Sequence, residues 1–261
     1  MKVQYEVLGG VARLTLDDPP ANAYTHRMMQ DLDRSILQAR FDDAVHVILL
    51  TGAGEKMFCA GANIDELQKM TPTFKDNFCL HANETLNRLE QTPKLVIAAL
   101  NGHTVGGGLE VAMAADLRIA RAQGGKIGLP EVKLGVLPGT GGTQRLARLV
   151  GKSRAIEMMV TGRLLTFADA AGLGLVNEIL DADAAAFPAA ALARAQEFCP
   201  PRTASMAAGL IKRAVQSGLE MGFSDALALE RELQARLFRT ADAREGMAAN
   251  RERREPKFEG R

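Results

Sequence analysis

The sequence has no tryptophan, only two tyrosines and 5% aromatic residues among its 261 positions. So few rings leave no evident aromatic platform on which nucleic-acid bases could stack. Charge of one sign is also missing: 32 lysines and arginines face 31 aspartates and glutamates, a net charge of +1. A chain so balanced offers neither a basic stripe for nucleic acid nor attraction to an anionic membrane. Cysteine is sparse, with Cys59, Cys79 and Cys199 odd in number and without CxxC spacing. That reads as reduced thiols of a cytoplasmic protein, not as a disulfide framework. His26, His46, His81 and His103 form no HxH or HxxxH pair, so no metal site is expected. No apolar run is long enough to cross a bilayer, and Met1–Glu6 lacks the apolar core of a signal peptide. What remains is 47% hydrophobic and 24% charged. Such a chain makes one large globular domain, or a domain with an appendage.

Against this background the glycines stand out. Gly106-Gly107-Gly108 runs directly into the apolar stretch Leu109–Ala115, interrupted by Glu110. Glycines leading into a helix place bare backbone N–H groups at its N-terminus, where negative charge is stabilised, including charge that develops only in a transition state. Glu110 lies one turn into that helix, among Leu109, Val111, Ala112 and Met113, so a buried position is expected. Glu131, in Gly128-Leu129-Pro130-Glu131, comes from a nearby loop. Two carboxylates at such a site can serve as general base and general acid. Pro138-Gly139-Thr140-Gly141-Gly142 follows closely.

The pattern of elements predicts an α/β fold with parallel strands. Val11–Leu16, Val45–Leu50 and Leu95–Leu100 are short apolar runs of strand length; the last two are near-continuous, as in strands buried on both faces. Helical patterns lie between them: one capped by Thr25 with Met29, Leu32, Ile36 and Ala39 on one face, another over Phe74–Leu89. Past about residue 140 helices dominate, over 144–150, 153–160, 167–172, 184–198, 204–217, 223–238 and 241–251. Cys199-Pro200-Pro201 breaks this series and divides the chain into a core, residues 1–198, and a helical region, residues 199–261.

These motifs resemble the crotonase (enoyl-CoA hydratase/isomerase) superfamily. The resemblance runs in family order through Phe58-Cys59-Ala60-Gly61-Ala62-Asn63-Ile64, Ala98–Gly102, Gly106–Glu110, Leu129-Pro130-Glu131, Leu134–Leu146 and Ala168–Val176, with Arg244–Met247 near the end. It implies a spiral of ββα units followed by a C-terminal helical trimerisation region, with trimers pairing into hexamers. The substrate would be an acyl-CoA thioester, coenzyme A being part of the substrate and no separate cofactor being needed. It implies an oxyanion hole made by the N–H groups of Ala62 and Gly107. Glu110 and Glu131 match the two glutamates of true hydratases, which hold one water with help from the N–H of Gly139. Ala21, Ala60, Gly61, Asn63, Ile64, Gly106 and Pro130 fall on substrate-binding stretches. The implied reaction is hydration of an enoyl-CoA to a 3-hydroxyacyl-CoA, as in β-oxidation. The alternatives are isomerisation, hydration of an unusual enoyl or dienoyl thioester, and, in a different class, a non-catalytic CoA- or RNA-binding scaffold.

Two departures from the family pattern bear on CoA binding. Asp65 stands where many hydratases have a basic residue, and Pro19–Tyr24 replaces the usual Pro-x-x-x-Asn-Ala-Leu. Other motifs carry less. Gly151-Lys152-Ser153 lacks the first glycine of a Walker loop, since Leu146 stands there, and Gln144 breaks the would-be dinucleotide fingerprint after Gly139. Cys59 has no histidine partner to make it a nucleophile. His103 is read as a packing or pocket-wall residue, and the pairs Met28-Met29 and Met158-Met159 as core filler. Phe74 and Phe78 fall in the stretch expected to line or close the acyl-tail pocket.

Overall fold

The computed structural model describes residues 1–261, and ten strands form two sheets within it. The larger sheet has the order β1 (Val3–Leu8), β2 (Val11–Leu16), β3 (Val47–Gly52), β5 (Leu95–Leu100), β7 (Leu117–Arg121), β10 (Glu178–Leu180). The smaller has the order β4 (Met57–Cys59), β6 (His103–Val105), β8 (Lys126–Gly128), β9 (Leu165–Thr166). The helices in chain order are α1 (His26–Phe41), α2 (Ile64–Lys69), α3 (Pro72–Glu90), α4 (Gly107–Met113), α5 (Gly142–Val150), α6 (Lys152–Thr161), α7 (Phe167–Gly172), α8 (Phe187–Gln196), α9 (Ser205–Gly218), α10 (Phe223–Leu237) and α11 (Ala241–Glu252).

Successive strands go alternately to the two sheets: β3 then β4, β5 then β6, β7 then β8. That alternation is the spiral of ββα units the resemblance implies. Within the large sheet β2, β3, β5, β7 and β10 pair in parallel, while β1 hairpins back antiparallel onto β2. The central strands are buried on both faces, as their apolar runs predict. Ala12, Leu14, Ile48, Leu50, Val96 and Ala98 point into the main core. Val11, Val47, Leu49, Ile97, Ala99 and Ile119 pack on the other side against Phe187, Ala191 and Ala195 of α8. No helix is long and apolar enough to cross a membrane.

Boundaries differ from the sequence reading for identifiable reasons. The Thr25 hydroxyl accepts the Met28 N–H, the expected cap of α1. Helix α3 begins two residues earlier than Phe74, because Thr71 caps it and Pro72 sits in the first turn, where proline costs no hydrogen bond. Strand β3 begins at Val47, not Val45, since the Val45 N–H closes a turn onto the Asp42 carbonyl. The chain turns at Cys199–Thr203 and enters α9, whose Gly209 lies against the backbone of Pro93; a β-carbon there would meet the Pro93 oxygen at 2.2 Å. Lys212 of α9 is buried and pairs with Asp116 at 2.9 Å.

Candidate active site

The short strands of the smaller sheet place the site. Strands β4, β6 and β8 are parallel neighbours, and each ends in one of the glycine-containing turns. Ala60-Gly61-Ala62 follows β4, Gly106-Gly107-Gly108 follows β6, and Leu129-Pro130-Glu131 follows β8. The three turns therefore emerge side by side. A hydrogen bond from the Gly106 N–H to the Gly128 carbonyl, 2.9 Å long, ties two of them together.

Each glycine of the triplet answers a separate demand. Gly106 has φ 57° and ψ −136°, which side chains rarely tolerate. A β-carbon on Gly107 would lie 2.3 Å from the Tyr24 hydroxyl, and one on Gly108 would lie 2.0 Å from the Cys59 carbonyl oxygen. Gly107 is the first residue of α4, so its N–H has no partner within the helix. Gly61, at φ +86°, faces it: a β-carbon there would sit 2.6 Å from the Gly107 nitrogen. Across this gap, Ala62 forms a parallel bridge with Tyr24. The bridge uses the Tyr24 N–H to the Gly61 carbonyl and the Asn63 N–H to the Tyr24 carbonyl, so the Ala62 N–H points away from Tyr24. The missing side chain of Gly61 thus lets the turn after β4, with Ala62, pack directly against the first N–H of α4.

Glu110 is buried, as the sequence predicts, at 2% exposure. Its Oε1 accepts the backbone N–H of Thr140 at 2.8 Å and of Gly142 at 2.7 Å, and its Oε2 accepts the Thr140 hydroxyl. Burial raises its pKa above the ordinary 4.5, and the bonds from Thr140 and Gly142 oppose that rise. Glu131 lies not in an open loop but at the start of a 3-10 turn, Glu131–Leu134, closed by Gly135 at φ 72°. Its Oε1 is where a β-carbon on Gly106 would come within 3.1 Å, and its Oε2 is buried without a partner. Burial, aided by the charge of Glu110, pushes its pKa up to about 7. The carboxylates therefore differ in kind. Glu110 accepts three hydrogen bonds, whereas Glu131, its pKa pushed up to about 7, is part protonated near neutrality and has an oxygen that nothing else satisfies.

That pKa has a thermodynamic consequence. The folded state holds the Glu131 proton more tightly than the unfolded chain, so stability is lost as pH rises from about 4.5 through about 7. Glu131→Gln, which removes the titration, is expected to have a higher Tm than the wild type at pH 8, with the gap closing near pH 4.5. Thermal melts across that pH range check it, and a constant gap would mean that the carboxyl is not perturbed.

The remaining candidates fall around this centre. The Ala21 carbonyl accepts the Ala60 N–H at 3.0 Å, joining the N-terminal loop to the turn after β4. Asn63 uses its side chain to cap α2, accepting the Glu66 N–H at 3.0 Å, and Ile64 is exposed. Pro130 precedes the Glu131 turn, and the Gly139 carbonyl accepts the Asn83 side chain at 3.3 Å. Asp65 is exposed in the first turn of α2. No group of three or more His, Cys, Asp or Glu side chains is placed to hold a metal ion.

Several side chains stand elsewhere than expected. His103 is neither packed nor on the pocket wall: it is exposed at the start of β6, accepting the Lys126 N–H at 3.1 Å, at the strand end away from the turns. Phe78 is buried against Tyr24 and His26, whereas Phe74 is largely exposed. Cys59 is buried, with its thiol pushed up to about 12, which leaves it inert. Sequence reasoning passed over Tyr24, Thr140 and Asn22. The buried Asn22 amide donates to the Ala53 and Met57 carbonyls at 2.9 and 3.0 Å and pins the N-terminal loop. A polar residue inside an otherwise apolar or glycine-rich motif was the available signal for all three.

Known proteins share this arrangement along the full length. The family model described as enoyl-CoA hydratase/isomerase matches residues 6–261. A short-chain-enoyl-CoA hydratase of Clostridium acetobutylicum is 38% identical over 255 residues, covering 97% of this chain and 94% of the relative. Among solved structures, an enoyl-CoA hydratase of Geobacillus kaustophilus superposes with a TM-score of 0.95 at 42% identity, covering 100% of this chain and 97% of that one. One from Bacillus anthracis superposes at 0.91 with 31% identity over 100% of both chains. With the fold, the side-by-side turns and this likeness all in agreement, the chain belongs to the enoyl-CoA hydratase/isomerase family, within the crotonase superfamily.

Proposed function

We propose that the protein is an enoyl-CoA hydratase, adding water across the α,β double bond of an enoyl-CoA thioester to give a 3-hydroxyacyl-CoA. The observation that carries this reading is the pair of unlike carboxyls, one held by three hydrogen bonds and one titrating near 7, beside the glycine turns that bring residues 61 and 62 against the first N–H of α4. Hydration needs both. Glu110 takes a proton from water as its oxygen attacks the β-carbon, and Glu131 gives its proton to the α-carbon. Charge moving onto the thioester oxygen meets the N–H groups of Ala62 and Gly107, whose dipoles are already in place. Gly139 completes the water site in this scheme, and the stretch around Ala21, Ala60, Asn63 and Ile64 takes the CoA portion. With Asp65 exposed, the CoA phosphates find their positive partners elsewhere. No cofactor beyond the CoA of the substrate enters the scheme.

The C. acetobutylicum relative is described as acting on short-chain substrates, so crotonyl-CoA is the first compound to test. Loss of the conjugated-thioester absorbance with formation of 3-hydroxybutyryl-CoA is the expected result. Incubation of a 3-enoyl-CoA that yields only the 2-enoyl isomer, with no hydrated product from either, would replace hydration by isomerisation. A chain that binds CoA thioesters and turns none over would make it a scaffold.

The reading includes a homo-oligomer, a trimer or a hexamer of paired trimers, built through residues 199–261. Helix α10 has no buried residue in the single chain. Leu219 is 78% exposed and Phe223 80%, with Ile211 and Phe238 also open. Apolar surface on this scale calls for a partner, and a second copy is the simplest one. Light scattering is expected to give three or six times the chain mass; a stable monomer at micromolar concentration would sink this part of the proposal.

A further inference from the structure

Tyr24 and Thr140 form a chain of hydroxyls that ends on Glu110. Tyr24 is buried, and its hydroxyl lies 3.3 Å from the Thr140 hydroxyl oxygen. Thr140, equally buried, donates its own hydroxyl hydrogen to Glu110 Oε2. With the Thr140 hydrogen directed at Glu110, the direction of the chain follows: Tyr24 donates to Thr140 and Thr140 to Glu110. Burial raises the tyrosine's pKa well above 10, which keeps it a donor. The same Tyr24 ring sits against the Cα of Gly107, where any β-carbon would collide with the hydroxyl. One tyrosine therefore touches both halves of the site, the N–H cradle directly and the base through one threonine.

We propose that Tyr24 and Thr140 are positioning residues, a two-hydroxyl chain that fixes Glu110 Oε2 in register with the Gly107 cradle. The proposal rests on the reading of Glu110 as the base. Two backbone N–H groups hold Oε1, so rotation of the carboxyl about its own axis is limited from one side only. The threonine hydroxyl limits it from the other and takes one lone pair of Oε2, leaving the second for a water proton. Other groups that act on Glu110 electrostatically are Glu131, Arg145 of α5, Cys79 of α3 and Tyr24 itself. Of these, only Tyr24, which loses its hydrogen-bond partner, is altered by removing the threonine hydroxyl.

The test compares Thr140→Val, Thr140→Ser and Tyr24→Phe with the wild type in two readouts. The first is the pH profile of kcat/KM for crotonyl-CoA. The second, which needs no turnover, is the carboxyl-carbon NMR titration of Glu110 in protein labelled at glutamate. Valine keeps the shape and loses the donor. Loss of a hydrogen bond to an ionised group is expected to move the acidic limb, and the Glu110 titration with it, upward by about one pH unit. kcat should fall about tenfold, with KM changed less than twofold. Thr140→Ser should restore both readouts, and Tyr24→Phe should move them the same way by less. If Thr140→Val does not fold, Tyr24→Phe against Thr140→Ser decides the matter alone. An unchanged Glu110 titration in the folded hydroxyl-deleted variants would overturn the proposal. If the wild type forms no hydrated product, the function reading fails, while the titration still tests the hydroxyl chain.

Discussion

Glu110→Gln and Glu131→Gln are each expected to fold normally and to lower kcat for crotonyl-CoA hydration by about 10²–10⁴-fold. The local hydrogen bonds explain why glutamine is the right probe. At position 110 the amide oxygen can still accept from the Thr140 and Gly142 N–H groups. The amide NH2 then faces the Thr140 hydroxyl, which can turn and accept. Shape and bonding survive, and only the capacity to take a proton is lost. Glu110→Ala would be a poorer experiment, because two buried N–H groups would lose their acceptor. At position 131 the amide replaces a carboxyl whose pKa of about 7 leaves it part protonated near neutrality, but an amide cannot release a proton to carbon. The wild-type kcat/KM should accordingly fall above about pH 7, as Glu131 ionises, and fall in acid as Glu110 takes a proton. Steady-state kinetics with a circular-dichroism check of the fold decide both. A variant with near-wild-type kcat takes its residue out of the mechanism.

The second large effect is expected at a residue that carries no functional group. Gly61→Ala should reduce kcat by about 10²–10³-fold, the typical loss when one oxyanion donor is removed. Both carboxyls would stay in place. The added methyl would lie 2.6 Å from the Gly107 nitrogen and push the turn off the start of α4, and residue 61 would have to hold φ +86°. Gly107→Pro removes the N–H itself and should also abolish turnover. It carries a second insult, since any β-carbon at 107 meets Tyr24. Gly61→Ala leaves the Gly107 N–H in the chain but displaces it, so the pair read together separates a displaced donor from a deleted one. Each needs an acyl-CoA binding measurement beside the rate. A folded Gly61→Ala variant that binds substrate and turns it over at the wild-type rate would remove the space between Ala62 and Gly107 from the mechanism.

Much of this site was legible because its physical demands fall on residue types that have few substitutes. A helix that starts on a bare N–H beside a packed tyrosine admits only glycine at 107, and a turn at φ 57° favours glycine at 106. The apolar neighbours of Glu110 foretold its burial. The long central strands were legible for the same reason: both faces are covered, so their runs are apolar without alternation. The smaller sheet was not. Strands β4, β6 and β8 are three residues each, too short to show any period, and only their pairing with one another defines them. Thr140 was hidden because a threonine within Pro-Gly-Thr-Gly-Gly reads as turn chemistry, and its partner is 30 residues away in the chain. Phe74 and Phe78 could not be told apart from spacing; they lie one helical turn apart and both reach His26, and only Phe78 also packs on Tyr24.

The acceptor role of Glu110 also makes the loop before α5 an observer of that carboxyl's charge. The amide protons of Thr140 and Gly142 both end on one carboxylate oxygen. Their exchange with solvent deuterium is thereby coupled to the charge on that carboxylate. Where Glu110 is ionised, both amides are held and exchange slowly; as it takes up a proton, its pull on them weakens together, and they should begin to exchange as a pair. Glu110 thus signals its charge through two backbone protons, with no substrate present.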